Sequence, residues 1–168
     1  MENSTNALTT VGAHEGQSVS IAGGAYRIVI GGEQTAGAYA VIEMLVPPGG
    51  GPGPHAHAGF QEAFYILEGE VEVKTETLTY TAQTGAYVNI PTGGMVHCFK
   101  NNGDKNARLL CTVVPAGLEN FFLEIGQPIT YGEILPPPPM DAEAMKQLQA
   151  IAEKYGQKLY PPDYLDEK

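Results

Sequence analysis

Positive charge is scarce in this sequence: 9 Lys and Arg stand against 19 Asp and Glu, a net charge of −10 at pH 7 over 168 residues. A surface that holds phosphate backbones or anionic headgroups needs clustered cations, so nucleic acid and membrane surfaces are excluded as expected partners. Cysteine is scarcer still, with only Cys98 and Cys111, too few for a disulfide framework. The opening residues MENSTNALTT contain neither the basic nor the apolar stretch of a signal peptide, and with so little cysteine the expected location is the cytoplasm. No apolar run approaches the roughly 18 residues of a membrane-spanning helix. No fixed-period repeat and no helix-turn-helix pattern is visible.

What the sequence has in excess is glycine and proline. Its 21 Gly and 13 Pro are about one residue in five, against roughly one in eight in ordinary globular chains. Apolar residues still make up 43% and recur in short blocks between the Gly and Pro, the pattern of an all-β sandwich or barrel rather than of disorder. The length suits one core with extra arms. The expected organisation is an N-terminal arm over residues 1–17, a β-barrel with a capping helix over 18–135, and a Pro-rich linker with a final helix over 136–168.

Strands are expected over residues 18–30, broken at Gly23-Gly24, and over 39–46, which is apolar on both faces and so suits a strand covered on two sides. A turn is expected at Gly31-Gly32. Residues 62–68 and 71–77 flank Gly69-Glu70 and read as a β-hairpin or tight strand-turn-strand. Further strands are expected over 87–90, 97–100 and 108–114. Leu118, Phe121, Phe122 and Ile125 then recur at helical spacing, a short amphipathic helix stopped by Gly126 that should cap the barrel. Asp141 offers an N-cap for a second helix whose Met145, Leu148, Ile151 and Tyr155 form one stripe, ended by Gly156. This helix is expected on the outside of the sheets or on a partner chain.

Four side chains can carry chemistry. On a strand, His55 and His57 point to the same face; Glu62 follows after a short loop and His97 comes from a distant strand. Three imidazoles and a carboxylate suit a divalent first-row metal and leave coordination positions open. A lone His-x-His near a turn equally describes two solvated side chains, and here the surroundings bear on the choice: Gly49, His55, His57, Glu62 and Gly69 stand at fixed intervals, followed in order by Gly85, Pro91, His97 and Asn101.

In those intervals the chain resembles the cupin superfamily, whose motifs run G-x5-H-x-H-x3-4-E-x6-G and G-x5-P-x-G-x2-H-x3-N. The first motif matches throughout. In the second the step from Pro91 to His97 is one residue longer, so a small bulge is expected near Gly93-Gly94-Met95. The resemblance implies a double-stranded β-helix, a jelly-roll-like barrel of two antiparallel sheets, with one divalent transition metal per chain (Fe, Mn, Ni, Co or Zn) held by His55, His57, Glu62 and His97. The stretch GLENFFLEIG and the Pro-rich segment before the last helix resemble the quercetin-dioxygenase-like group.

A divalent ion with one carboxylate has a local charge of +1 despite the acidic chain, so an enolate, phenolate or carboxylate would suit it. The expected activity is a metal-dependent dioxygenase of quercetinase type, acting with dioxygen on an enolisable small molecule, with Glu62 also taking the substrate proton. The alternatives are a metal-dependent isomerase or lyase that uses no oxygen, and a non-catalytic cupin that binds metal and a small ligand. Strand parity nominates Phe64 and Phe99 as pocket residues. Parity turns Cys98 away from His97, as a buried free thiol, and Cys111 is expected in the core, outside the site. His14 and Glu15 read as solvated surface. Tyr26, Tyr39, Tyr65 and Tyr80 are candidates to face outward and build the contact of an expected homodimer.

Overall fold

The computed structural model describes residues 8–166; residues 1–7 of the expected arm, like 167 and 168, lie outside the described residues. The chain runs through β1 (Ser18–Ile21), β2 (Gly24–Ile30), the one-turn helix α1 (Gly32–Thr35), β3 (Ala40–Val46), β4 (His55–His57), β5 (Gln61–Glu68), β6 (Glu70–Thr75) and β7 (Thr79–Gln83). It continues through β8 (Tyr87–Ile90), β9 (His97–Lys100), β10 (Ala107–Val114), α2 (Leu118–Ile125), β11 (Gln127–Ile129), α3 (Ala142–Lys154) and β12 (Gln157–Leu159). All strand pairs are antiparallel. They make a seven-stranded sheet ordered β11-β1-β2-β3-β10-β5-β8 and a five-stranded sheet ordered β12-β4-β9-β6-β7.

The two sheets share one core. Along β10 the residues Ala107, Leu109, Cys111 and Val113 are fully buried while their neighbours are not, the period of two that a strand with one interior face requires. Ile42, Met44 and Ile66 from the same sheet pack in a single cluster with Val71, Val73 and Phe99 from the other. The result is the double-stranded β-helix.

Of the two readings of residues 62–77, this topology keeps the tight strand-turn-strand and excludes the hairpin. β5 and β6 lie in different sheets: β5 pairs β10 and β8, whereas β6 pairs β7 and β9. Gly69, at φ +73°, turns the chain from one sheet to the other, and a Cβ there would lie 3.1 Å from Ala107 Cα. Strands β7, β11 and β12 escape the sequence reading because β7 is mostly exposed and the other two have three residues each. At Gly31-Gly32 the expected turn is the start of α1. The extra residue of the second motif is taken up in the loop between β8 and β9, where Gly93 and Gly94 both have positive φ, and not in a bulge of a strand. Among the described residues no helix is long and apolar enough to cross a membrane.

Two features set the barrel mouth. The strap Gly49–Pro54 runs against β9, with Gly49 N donating to Asn101 O (2.7 Å) and Asn101 N to Gly50 O (2.9 Å). Gly51 passes so close that a Cβ there would stand 2.1 Å from Phe99 O, so no other residue fits. Opposite, α2 buries Leu118, Phe121 and Phe122, and the Glu119 carboxylate beneath it accepts from Gly32 N (2.7 Å) and Gly117 N (2.6 Å). Helix α3 has a covering partner within the chain that its stripe alone did not name. It lies across the mouth, against α2 and β12, with Met145 and Leu148 facing the barrel cavity. Asp141 accepts from Ala144 N at 2.8 Å as its N-cap.

Candidate metal centre

Register places the ligand atoms. In the five-stranded sheet His55 of β4 stands opposite His97 of β9, and His57 lies two residues along β4 on the same face. Glu62, on β5 of the facing sheet, meets them across the barrel. One ligand atom from each of His55, His57, Glu62 and His97 can be chosen so that all lie within 4.8 Å of one another, and all four residues are buried. Ligands about 2.1 Å from a first-row ion stand at most about 4.2 Å apart, so the cluster fits such an ion after a shift of a few tenths of an ångström.

The hydrogen bonds explain how the rings are aimed. His55 Nδ1 lies 2.9 Å from Gly53 O, His57 Nδ1 3.0 Å from Phe60 O, and His97 Nδ1 2.9 Å from Met95 O. A carbonyl oxygen only accepts, so each Nδ1 carries the proton and each neutral ring has a bare Nε2 turned inward. His57 Nε2 then faces Glu62 Oε2 at 3.1 Å, His97 Nε2 faces the same oxygen at 3.6 Å, and His97 Nε2 is buried with no hydrogen-bond partner among the described residues. Lone pairs pointed at a carboxylate repel unless a cation lies between them. This donor set asks for a proton or a metal ion.

Burial, with His97 close by, pushes His55 down to about 4, which leaves it neutral and available as a donor at pH 7. Burial alone would raise the Glu62 carboxyl, but hydrogen bonds from His57 and His97, made when a proton occupies their Nε2, hold it well below the usual carboxylate range. The other Glu62 oxygen, Oε1, accepts from Cys111 Sγ at 3.3 Å. Cys111 is in the core as expected, yet it touches the cluster, a contact that parity along β10 does not reveal. Burial, then the Glu62 charge, raises its thiol well above the ordinary value, so it stays protonated and donates. Cys98 is half-buried, not buried, beside the small outer cluster of Ala56, Val96 and Leu165.

Beside this cluster lies a cavity of about 230 Å³ that includes His55 and Glu62 in its lining. Met44, Val46, Phe99, Phe121, Met145 and Leu148 give its wall an apolar character, and Gln157, Tyr26 and Tyr160 add polar atoms. Phe99 therefore lines the cavity as its strand parity suggests. Phe64 stands behind it in the core, edge-on with ring centroids 5.2 Å apart, and does not reach the lining. Tyr26 is the larger correction among the tyrosines: it is buried, tilted against Phe122 and on the cavity wall, while Tyr39, Tyr65 and Tyr80 are exposed. Its phenol is pushed far up by burial and then by the Glu62 charge. The signal was in the sequence, since in β2 Tyr26 and Ile28 share the face that looks inward. His14, in the arm, stacks on Tyr131 at 4.6 Å.

Residues 42–113 match the family model described as Cupin domain. Over 126 residues, 75% of this chain, the sequence is 28% identical to quercetin 2,3-dioxygenase of Bacillus subtilis (strain 168), and the chain spans 36% of that protein's length. Among solved structures it is similar to ectoine synthase from P. lautus, with TM-score 0.53 and 20% identity over 74% of this chain and 85% of that one. It is likewise similar to a sugar phosphate isomerase from Silicibacter pomeroyi, with TM-score 0.54 and 18% identity over 65% of this chain and 77% of that one. At such identities the structural likeness is one of fold. Together with the two motifs and the barrel they build, this match identifies residues 42–113 as a cupin domain.

Proposed function

We propose that the protein is a metal-dependent dioxygenase of quercetinase type that acts on an enolisable, largely apolar small molecule. The observation that carries this reading is the placement of the His55, His57, Glu62 and His97 donors beside a cavity whose wall is otherwise mostly apolar. In it the four residues would hold one divalent transition metal, which would supply Lewis-acid stabilisation of a bound oxyanion and the capacity to react with dioxygen. The chain's own residues do the rest. Glu62, with one oxygen steadied by the Cys111 thiol, accepts the proton of the substrate hydroxyl. Phe99, Met44 and the α2 aromatics exclude water and hold a planar ligand.

Among the described residues the cavity lining contains no Lys or Arg, which argues against a phosphorylated substrate such as the Silicibacter relative's name describes. The same wall supports the 28% identical relative's substrate class better. The test is turnover of a flavonol by protein reconstituted separately with Fe, Mn, Ni, Co and Zn, under air and under argon. Turnover is expected under air alone; equal rates in both atmospheres would establish oxygen-independent chemistry, and binding without turnover a non-catalytic role. Failure to take up any of the five ions would remove the reading altogether.

A further inference from the structure

We infer that Gln157, on the first position of β12, is the residue that orients the substrate and selects for an oxygen acceptor beside the oxygen bound at the His/Glu cluster; this rests on the metal-dependent reading above. Gln157 stands directly opposite His57 in the β12–β4 pair, and Leu159 opposite His55. Side chains of directly opposed residues share a face about 5 Å apart, so the carboxamide lies on the interior face next to the His57 ring, while Lys158 between them is exposed.

Gln157 is 6% exposed and lines the cavity, and its Nε2 is buried with no hydrogen-bond partner among the described residues. Leaving a buried amide unpaired is costly. Phe99, Leu148 and Leu159 of the same wall have no side-chain acceptor to offer. A ligand oxygen beside the oxygen held at the cluster would satisfy the amide where the protein does not. A ligand lacking that oxygen would leave the amide unpaired, the arrangement by which polar pockets discriminate most sharply. Gln157 touches no reacting bond in this scheme and is a positioning residue.

The experiment compares wild-type with Gln157→Met, which keeps the length of the side chain and removes its donor. Both are loaded with zinc under argon, so that binding is read without turnover. The probes are 3-hydroxyflavone, whose hydroxyl has a carbonyl oxygen beside it, and 2-naphthol, whose hydroxyl has none; binding is followed by fluorescence and metal content by elemental analysis. Gln157→Met is expected to weaken 3-hydroxyflavone about tenfold, with 2-naphthol affinity and zinc per chain unchanged. Unchanged affinity for 3-hydroxyflavone, or an equal loss for both probes, overturns the role of Gln157 and leaves the metal-dependent reading standing. Zinc-loaded wild-type that binds neither probe overturns the ligand class itself, and the role of Gln157 with it. Should Gln157→Met not fold, Gln157→Leu, which likewise removes the amide donor and adds no charge, gives the same comparison.

Discussion

Three histidines each commit one ring nitrogen to a main-chain carbonyl and turn the other towards Glu62. That division of labour fixes tautomer and ring plane before any ion arrives, so each histidine should be hard to replace. His97→Ala is expected to lower metal affinity more than about a hundredfold, with the far-ultraviolet spectrum retained; metal per chain after gel filtration measures it. A second charged site lies on the outer face of the larger sheet. Burial would raise the Glu43 carboxyl, but Arg27 and Arg108 hold it below its ordinary value, with Arg108 Nε 2.6 Å and Tyr131 OH 3.2 Å from Oε1. The folded state thus binds this proton less readily than the unfolded chain. The stability Glu43 contributes is present above its unfolded value of 4.5 and is lost as pH falls through the lower folded value. Arg108→Gln is expected to cost about 1 kcal/mol at pH 7, after discounting for the exposure of Arg108, and to flatten acid unfolding below pH 4.5 followed by circular dichroism.

At the scale of elements, the C-terminal pair α3 and β12 does more than the stripe on α3 announces. The helix covers the barrel mouth and the strand that follows joins the smaller sheet beside β4. A contact holding this segment to α2 is Glu124, which accepts from Lys154 Nζ at 2.7 Å and from the Tyr155 hydroxyl. Glu124→Ala is expected to speed proteolysis within residues 136–156 and to weaken ligand binding, with metal content unchanged. Limited proteolysis beside metal analysis checks both arms. The apolar stripe of α3 was legible from its spacing, but its partner was not. A helical pattern states that one face is to be covered and leaves open by what. The expected hairpin failed for a related reason, because Gly69 signals a turn without saying whether the next strand stays in the same sheet.

For the whole molecule, metal binding and folding are linked, since a site drawn from β4, β5 and β9 exists only in the closed barrel. An ion present at 100 times its dissociation constant stabilises the fold by about 2.7 kcal/mol. Removal by chelation is therefore expected to lower the midpoint of thermal unfolding by roughly 5–10 °C, with recovery on adding back the ion. We also propose a homodimer formed by sheet packing. Tyr65 and Tyr87 stand opposite one another on β5 and β8 and are both exposed, a pair of aromatics suited to an interface. Light scattering at micromolar concentration is expected to give twice the chain mass, and Tyr65→Glu a single one.

Local spacing by itself determined the all-β class, most of the strands, both longer helices and the four residues that converge on the candidate site. Those features repeat at periods of two or 3.6 or sit at motif intervals, and such patterns survive in one dimension. Tertiary structure alone decided that β5 and β6 part company, that Cys111 steadies Glu62, that Phe64 stands behind Phe99, and that α3 closes the mouth with Gln157 beside His57. Each of these depends on which strands become neighbours and in what register, and contacts between residues as far apart as His57 and Gln157 are set by the closure of the barrel, not by any local preference of the chain.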